Sequence, residues 1–159
     1  MSDKKALFQN VLSRAEAIMH NTGNRDAKLQ AICDLLHQQV DYYDWVGFYV
    51  VDDKGQELLL GPFVGKPTEH VRIPFGRGIC GQAAERKQTF MVQDVSQEAN
   101  YLSCSPSVRS ELVVPVLKEG RVLGELDIDS QCLSPFDVED ARLLERICEM
   151  AAKLLWHVV

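Results

Sequence analysis

The order of apolar and polar positions divides the chain into two helical ends and a β-rich middle. Leu7, Val11, Leu12, Ala15, Ile18 and Met19 recur at helical spacing, as do Leu29, Ile32, Cys33, Leu35, Leu36 and Val40, with a polar stretch at 21–24 between them. This pattern predicts two amphipathic helices joined by a turn. From Trp45 the texture changes to short β-branched and aromatic runs at 45–51 and 57–60, separated by Asp52-Asp53-Lys54-Gly55; that is a hairpin. A short extended run at 71–74, a glycine loop at 76–78, a brief helix over 81–86 and an edge strand at 89–92 follow. Residues 94–110 are polar and read as a long loop of the kind that carries function. A second hairpin joins 111–117 to 122–129 about Lys118-Glu119-Gly120. After an Asp137 cap, Leu144, Ile147, Cys148, Ala151, Leu154, Leu155 and Val158 repeat at three- and four-residue steps, predicting a last helix. The expected fold class is α+β, an antiparallel sheet backed by the N- and C-terminal helices.

Length and charge narrow the possibilities. A chain of 159 residues suits one domain spanning 1–159. Its net charge of −6 has the wrong sign for gripping phosphate backbones or an anionic membrane, so no nucleic acid and no membrane partner is expected. No apolar run approaches the roughly 20 residues that span a bilayer, and Met1-Ser2-Asp3-Lys4-Lys5 is not a signal core. Five cysteines without a C-x-x-C pair give neither a disulfide scaffold nor a zinc motif, which points to a reducing, cytoplasmic setting and no metal. Cys33 and Cys148 fall on helical apolar stripes and belong to the core. Cys132 lies in a loop with no cluster beside it.

The strand at 122–129 carries the first candidate chemistry. Alternation puts Leu123, Glu125, Asp127 and Asp129 on one face and Val122, Gly124, Leu126 and Ile128 on the other. An isolated D-x-D is most often a solvated sheet face, yet aspartate is a poor strand former and two in succession want a compensating reason. If they line a pocket, desolvation and mutual repulsion raise at least one pKa, leaving an acid able to donate a proton, and the cluster attracts an ammonium. Glu111 starts the paired strand and is placed to join them. Trp45 and Tyr49, four apart in one strand, share a face and suit an apolar pocket wall as well as a core.

The run Gly76-Arg77-Gly78-Ile79-Cys80-Gly81 matches G-x-G-x-x-G in form, but the strand before it is short and contains Pro74, and the helix after it is too brief for a βαβ crossover. What remains is a glycine loop presenting Cys80 near a helix start, a setting that can lower a thiol pKa. Cys104 sits in the polar loop among Ser103, Ser105, Pro106 and Ser107 and is the cysteine least explained by packing.

Together, Trp45-Val46-Gly47-Phe48-Tyr49, the run from Leu60 to Pro67, the run from Val71 to Gly81, Cys104 followed by Ser110-Glu111, and Leu126-Asp127-Ile128-Asp129-Ser130 resemble the free methionine-(R)-sulfoxide reductases, which are single GAF domains. The resemblance runs from about residue 44 to 137. It implies a GAF-like sheet with its pocket on the face opposite the helices, and a cytoplasmic oxidoreductase that reduces free methionine-(R)-sulfoxide. By motif position Cys104 matches the catalytic cysteine, Glu111, Asp127 and Asp129 the acidic pocket residues, and Trp45 and Tyr49 the aromatic substrate wall. Cys80 matches one of two partner cysteines; the other commonly precedes V-R-I-P, where this chain has His70. The implied chemistry is a sulfenic acid on Cys104, a Cys80–Cys104 disulfide, and recycling by thioredoxin or another thiol without a bound cofactor. Homodimers are common in the family. His70 is either a surface replacement or a cationic neighbour tuning a thiolate. Glu125 shares the face of Asp127 but lies outside the matched motif. The competing expectation is a noncatalytic GAF sensor that binds a small molecule in the same pocket.

Overall fold

A computed structural model describes residues 2–103 and 105–156. Helices α1 (Ser2–His20) and α2 (Arg25–Gln39) lead into strands β1 (Trp45–Val51), β2 (Glu57–Val64) and β3 (Arg72–Pro74). Helix α3 (Gly78–Arg86) and strand β4 (Phe90–Val92) precede β5 (Ser110–Lys118), β6 (Arg121–Ser130) and helix α4 (Val138–Leu155). Among the described residues, six strands form one sheet in the order β3-β2-β1-β6-β5-β4, every pair antiparallel. The expected α+β architecture is present. No helix is long and apolar enough to cross a membrane among the described residues.

Local chemistry sets the element ends. Asn24 caps α2 by accepting from the Ala27 amide at 2.8 Å, and Asp137 forms a capping box with Asp140 at the start of α4, satisfying amides that the first helical turn leaves without partners. Asp140 is itself buried. It accepts from the Tyr42 and Tyr43 hydroxyls at 2.8 and 2.7 Å and from Lys4 Nζ at 2.6 Å. One carboxylate thus ties α1, the α2–β1 turn and α4 together.

The sheet separates two apolar layers. Val46, Phe48, Leu112, Val114, Val116, Leu126 and Ile128 face α1, α2 and α4, with Cys33 and Cys148 in that core. Trp45, Tyr49, Val113, Leu58 and Ile73 face the other way, under Ile79, Cys80, Ala83 and Ala84 of α3.

Three local features depart from the sequence expectations. β2 runs on to Val64 because a register shift opposite 47–49 leaves one extra β2 residue at Gly61-Pro62, a bulge that accommodates a residue with no amide hydrogen. A second shift pairs Val116 with Gly124 but Leu117 with Val122, which leaves Leu123 as the extra residue. Leu123 therefore packs with the helices and Val122 on the α3 side, the reverse of simple alternation. Finally, α3 begins at Gly78 rather than Gly81, so Cys80 lies in its first turn.

Candidate functional site

Register assembles the site on the sheet face under α3. In β6, Asp129, Asp127 and Glu125 stand opposite Trp45, Gly47 and Tyr49 of β1 and opposite Glu111, Val113 and Pro115 of β5. Four carboxyl groups therefore share one face. They are not solvated: Asp127 is 1% exposed and Glu125 is 0% exposed. α3 closes over them and brings the Cys80 thiol to 3.6 Å from Glu111 Oε2, to which it donates.

The glycine run explains how α3 can come so close. A Cβ on Gly81 would stand 2.6 Å from the Pro74 carbonyl oxygen, and Gly78 adopts a φ of 65°, a left-handed conformation that favours glycine. Gly81 O accepts from the Gly76 amide at 2.8 Å. The loop serves close helix–strand packing.

Gly47 does the same for the aromatic wall, since a Cβ there would collide with the Trp45 ring. That ring stacks on Phe63 at 5.5 Å and stands 6.5 Å from the Tyr49 ring, while its Nε1 donates to Lys66 O at 3.0 Å. Tyr49 donates its hydroxyl to the His70 carbonyl at 2.9 Å. The His70 ring in turn donates from Nε2 to Ser103 O at 2.9 Å. Asn100 makes the second tie across the mouth, accepting from Gly78 N at 2.8 Å and donating to Gly76 O at 2.7 Å, and Leu102 packs on Gly78. Under this cover lies a cavity of about 10 Å³ whose lining includes Tyr49, His70, Cys80, Leu102, Glu111 and Asp127.

Burial decides the protonation states. It raises the Glu125 carboxyl well above its usual range, offset in part by the Cys80 thiol, with the Asp127 charge adding to the rise. Asp127 is also raised by burial, offset in part by Glu111 and the Cys80 thiol. Cys80 is raised well above an ordinary thiol, first by burial and then by Asp127, Glu125, Glu111 and Asp129. The helix start was expected to be able to lower this thiol; the desolvation and four carboxyl groups outweigh it. The result is a thiol and two carboxyl groups, Glu125 and Asp127, whose neutral forms burial favours.

A buried acid with a raised pKa binds its proton more tightly folded than unfolded, so its stabilising contribution is complete below the unfolded carboxyl pKa and is lost as pH rises through the folded one. Glu125→Gln keeps the shape and removes the titration. Chemical denaturation should find Glu125→Gln more stable than the parent at about pH 8 and nearly equal at about pH 4, near the ordinary carboxyl pKa; an equal difference at both would contradict the buried neutral acid.

Of the residues singled out by sequence, the structure brings together Cys80, Glu111, Asp127, Asp129, Trp45 and Tyr49. Cys104 lies outside the described residues. Cys132 is exposed on the loop after β6, and its carbonyl accepts from Ser110 Oγ at 2.7 Å. Two residues gain weight. His70, half-buried, lines the cavity, and Glu125 is buried beside Asp127, its presence signalled in the sequence by nothing beyond its shared face with Asp127.

The GAF domain family model matches residues 24–155. A solved free methionine-R-sulfoxide reductase from Neisseria meningitidis, in complex with its substrate, is 39% identical with a TM-score of 0.91 and covers 98% of this chain and 92% of that one. The corresponding Staphylococcus aureus protein, also in complex with substrate, is 35% identical with a TM-score of 0.84, covering 94% and 95%. The Escherichia coli free methionine-R-sulfoxide reductase is 37% identical over 153 residues, 96% of this chain and 91% of that protein.

Proposed function

The chain belongs to the free methionine-(R)-sulfoxide reductase family of GAF domains, and from that premise we propose that it reduces free methionine-(R)-sulfoxide to methionine. The observation that carries the proposal is the buried acid wall of Glu111, Asp127 and Asp129 facing Trp45 and Tyr49 with Cys80 packed against it. A fold alone would not, because one fold hosts many functions.

In the proposed reaction the Cys104 thiolate attacks the sulfoxide sulfur, forming an S–S bond, while a protonated acid of the wall delivers its proton to the sulfoxide oxygen. The hydroxyl then passes to the Cys104 sulfur as the S–S bond and the methionine S–O bond break, which releases methionine and leaves a sulfenic acid on Cys104. Cys80 then attacks that sulfur, the thiol proton joins the departing hydroxide as water, and a Cys80–Cys104 disulfide remains. Two electrons from thioredoxin or another dithiol restore both thiols and leave the carrier oxidised. The charged carboxylates hold the substrate ammonium, and Trp45 and Tyr49 flank its methylthio end. A cavity of about 10 Å³ holds roughly one water, so binding displaces the 100–103 segment that covers it. A cytoplasmic homodimer completes the proposal.

The test compares both sulfoxide epimers, each free and within a peptide, with a dithiol reductant. We expect methionine from the free R epimer at a rate at least about 10-fold above the peptide, the discrimination expected when a site built for a charged ammonium is offered an amide instead. A sensor, the second reading, would bind without turnover. It draws on two observations, His70 in the place of a partner cysteine and the neutral, buried state of Cys80. Binding of the free R epimer with no methionine formed would establish it.

A further inference from the structure

We propose that Cys80, Glu111 and Asp127 form a zinc-type divalent-cation site, with Glu125 buried beside it, and that an ion bound there keeps the amino-acid substrate out of the pocket. The second half rests on the reductase reading; the first does not.

The donor spacing fits a tetrahedral site. One donor atom from each of the three side chains lies within 4.8 Å of the others, and all three residues are buried. A Zn–S bond of about 2.3 Å and a Zn–O bond of about 2.1 Å at the tetrahedral angle subtend an S···O edge of about 3.6 Å. The observed separation of Cys80 Sγ from Glu111 Oε2 is 3.6 Å.

An independent observation points to a cation in the same place. Oδ1 of Asp127, one of the three donors, is buried and without a hydrogen-bond partner among the described residues, as are both oxygens of neighbouring Glu125, an arrangement that is destabilising unless something satisfies them. Asp127 is one of the three clustered donors, and Glu125 stands next to it on the same strand face, fully buried. The cavity of about 10 Å³ beside Cys80, Glu111 and Asp127 is the size of one small particle. It suits a single ion and not an amino acid.

The donor set also selects the ion. Magnesium and calcium take oxygen ligands, whereas one thiolate with two carboxylates suits a softer metal, and zinc accepts three protein donors with a water in the fourth position. On binding, the metal replaces the Cys80 thiol proton and any proton held by Asp127; these leave to solvent. The ion and the substrate ammonium both draw on the Glu111 and Asp127 carboxylates. The two therefore compete, and the ion also takes the proposed resolving thiol out of play.

The test uses the full chain, kept reduced with a phosphine that does not chelate metals. Cobalt(II) is titrated as a spectroscopic surrogate and then displaced with zinc. We expect a thiolate-to-cobalt charge-transfer band that saturates at one equivalent, persists in Cys104→Ser and Cys132→Ser, and disappears in Cys80→Ser. Glu125→Gln should weaken zinc binding at least about 10-fold, the loss typical of disturbing a metal site's immediate surroundings. X-ray absorption of the zinc-loaded parent needs no variant and should find a single sulfur neighbour at about 2.3 Å. No band, a band lost in Cys104→Ser or Cys132→Ser but kept in Cys80→Ser, or zero or two sulfur neighbours would overturn the site. Turnover of free methionine sulfoxide should fall with zinc and return with a chelator; turnover unchanged at saturating zinc overturns the exclusion of substrate. A protein that reduces the sulfoxide but binds no zinc refutes this inference alone, and one that binds zinc at Cys80 without reducing the sulfoxide refutes the reductase reading alone.

Discussion

Cys104→Ser should release no methionine, not even the single equivalent per chain that a first reaction would yield without any reductant. Sulfoxide reduction requires a nucleophile that donates an electron pair to tetravalent sulfur and then accepts the oxygen. A thiolate does both, ending as a sulfenic acid, whereas a serine hydroxyl is a far weaker nucleophile at neutral pH and cannot be oxidised in this way. Removing a covalent nucleophile removes the pathway rather than slowing a step, so the single-turnover rate should drop roughly a thousandfold or more. The substrate site should survive, because the acids and aromatic wall come from β1, β5 and β6. Rapid-quench amino-acid analysis measures the release, and calorimetry measures retained binding of the sulfoxide. Release at the parental rate from Cys104→Ser would assign the chemistry to another of the chain's thiols and overturn the mechanism.

The division of labour among the acids shows how far the sequence could be read. Periodicity was sufficient for the terminal helices and for both hairpins, because those patterns reflect burial against a single neighbouring layer. The D-x-D of β6 was ambiguous for a physical reason: alternation tells which side chains share a face but not what covers it. The cover is α3, a nine-residue helix whose approach depends on Gly78 and Gly81 and whose contact with β5 and β6 is long-range in sequence. The same long-range packing turns Cys80 from a helix-start thiol into one raised by burial and carboxyl groups. Leu123 was misplaced because a bulge, invisible in the hydrophobic pattern, shifts the phase of alternation between Leu123 and Glu125. Motif matching gathered Glu111, Asp127 and Asp129 but passed over Glu125, whose burial follows only from its place between Tyr49 and Pro115.

Cys80→Ser should separate the first reaction from recycling. One equivalent of methionine should still form at near the parental rate, since the sulfur that attacks is elsewhere, while steady-state turnover with a thioredoxin-type dithiol should fall at least about 10-fold as the sulfenic acid waits for direct reduction. The sulfenic acid should then be trapped by a cyclic dione and seen as the adduct mass on the Cys104 peptide. In the parent, the same experiment should instead yield a Cys80–Cys104 linked peptide. Forming that bond needs the two Cα atoms within about 7 Å, and Cys80 is held in the first turn of α3 against Glu111. The thiol also has to lose its proton among carboxyl groups that oppose its ionisation. Disulfide formation should therefore be slow near neutrality and continue to accelerate as pH rises beyond the ordinary thiol pKa of about 8.5. A linked peptide joining Cys104 to Cys132 instead, or a recycling rate in Cys80→Ser equal to the parent's, would show that the exposed thiol after β6 or the external reductant performs the second step, and that Cys80 serves the buried cluster alone.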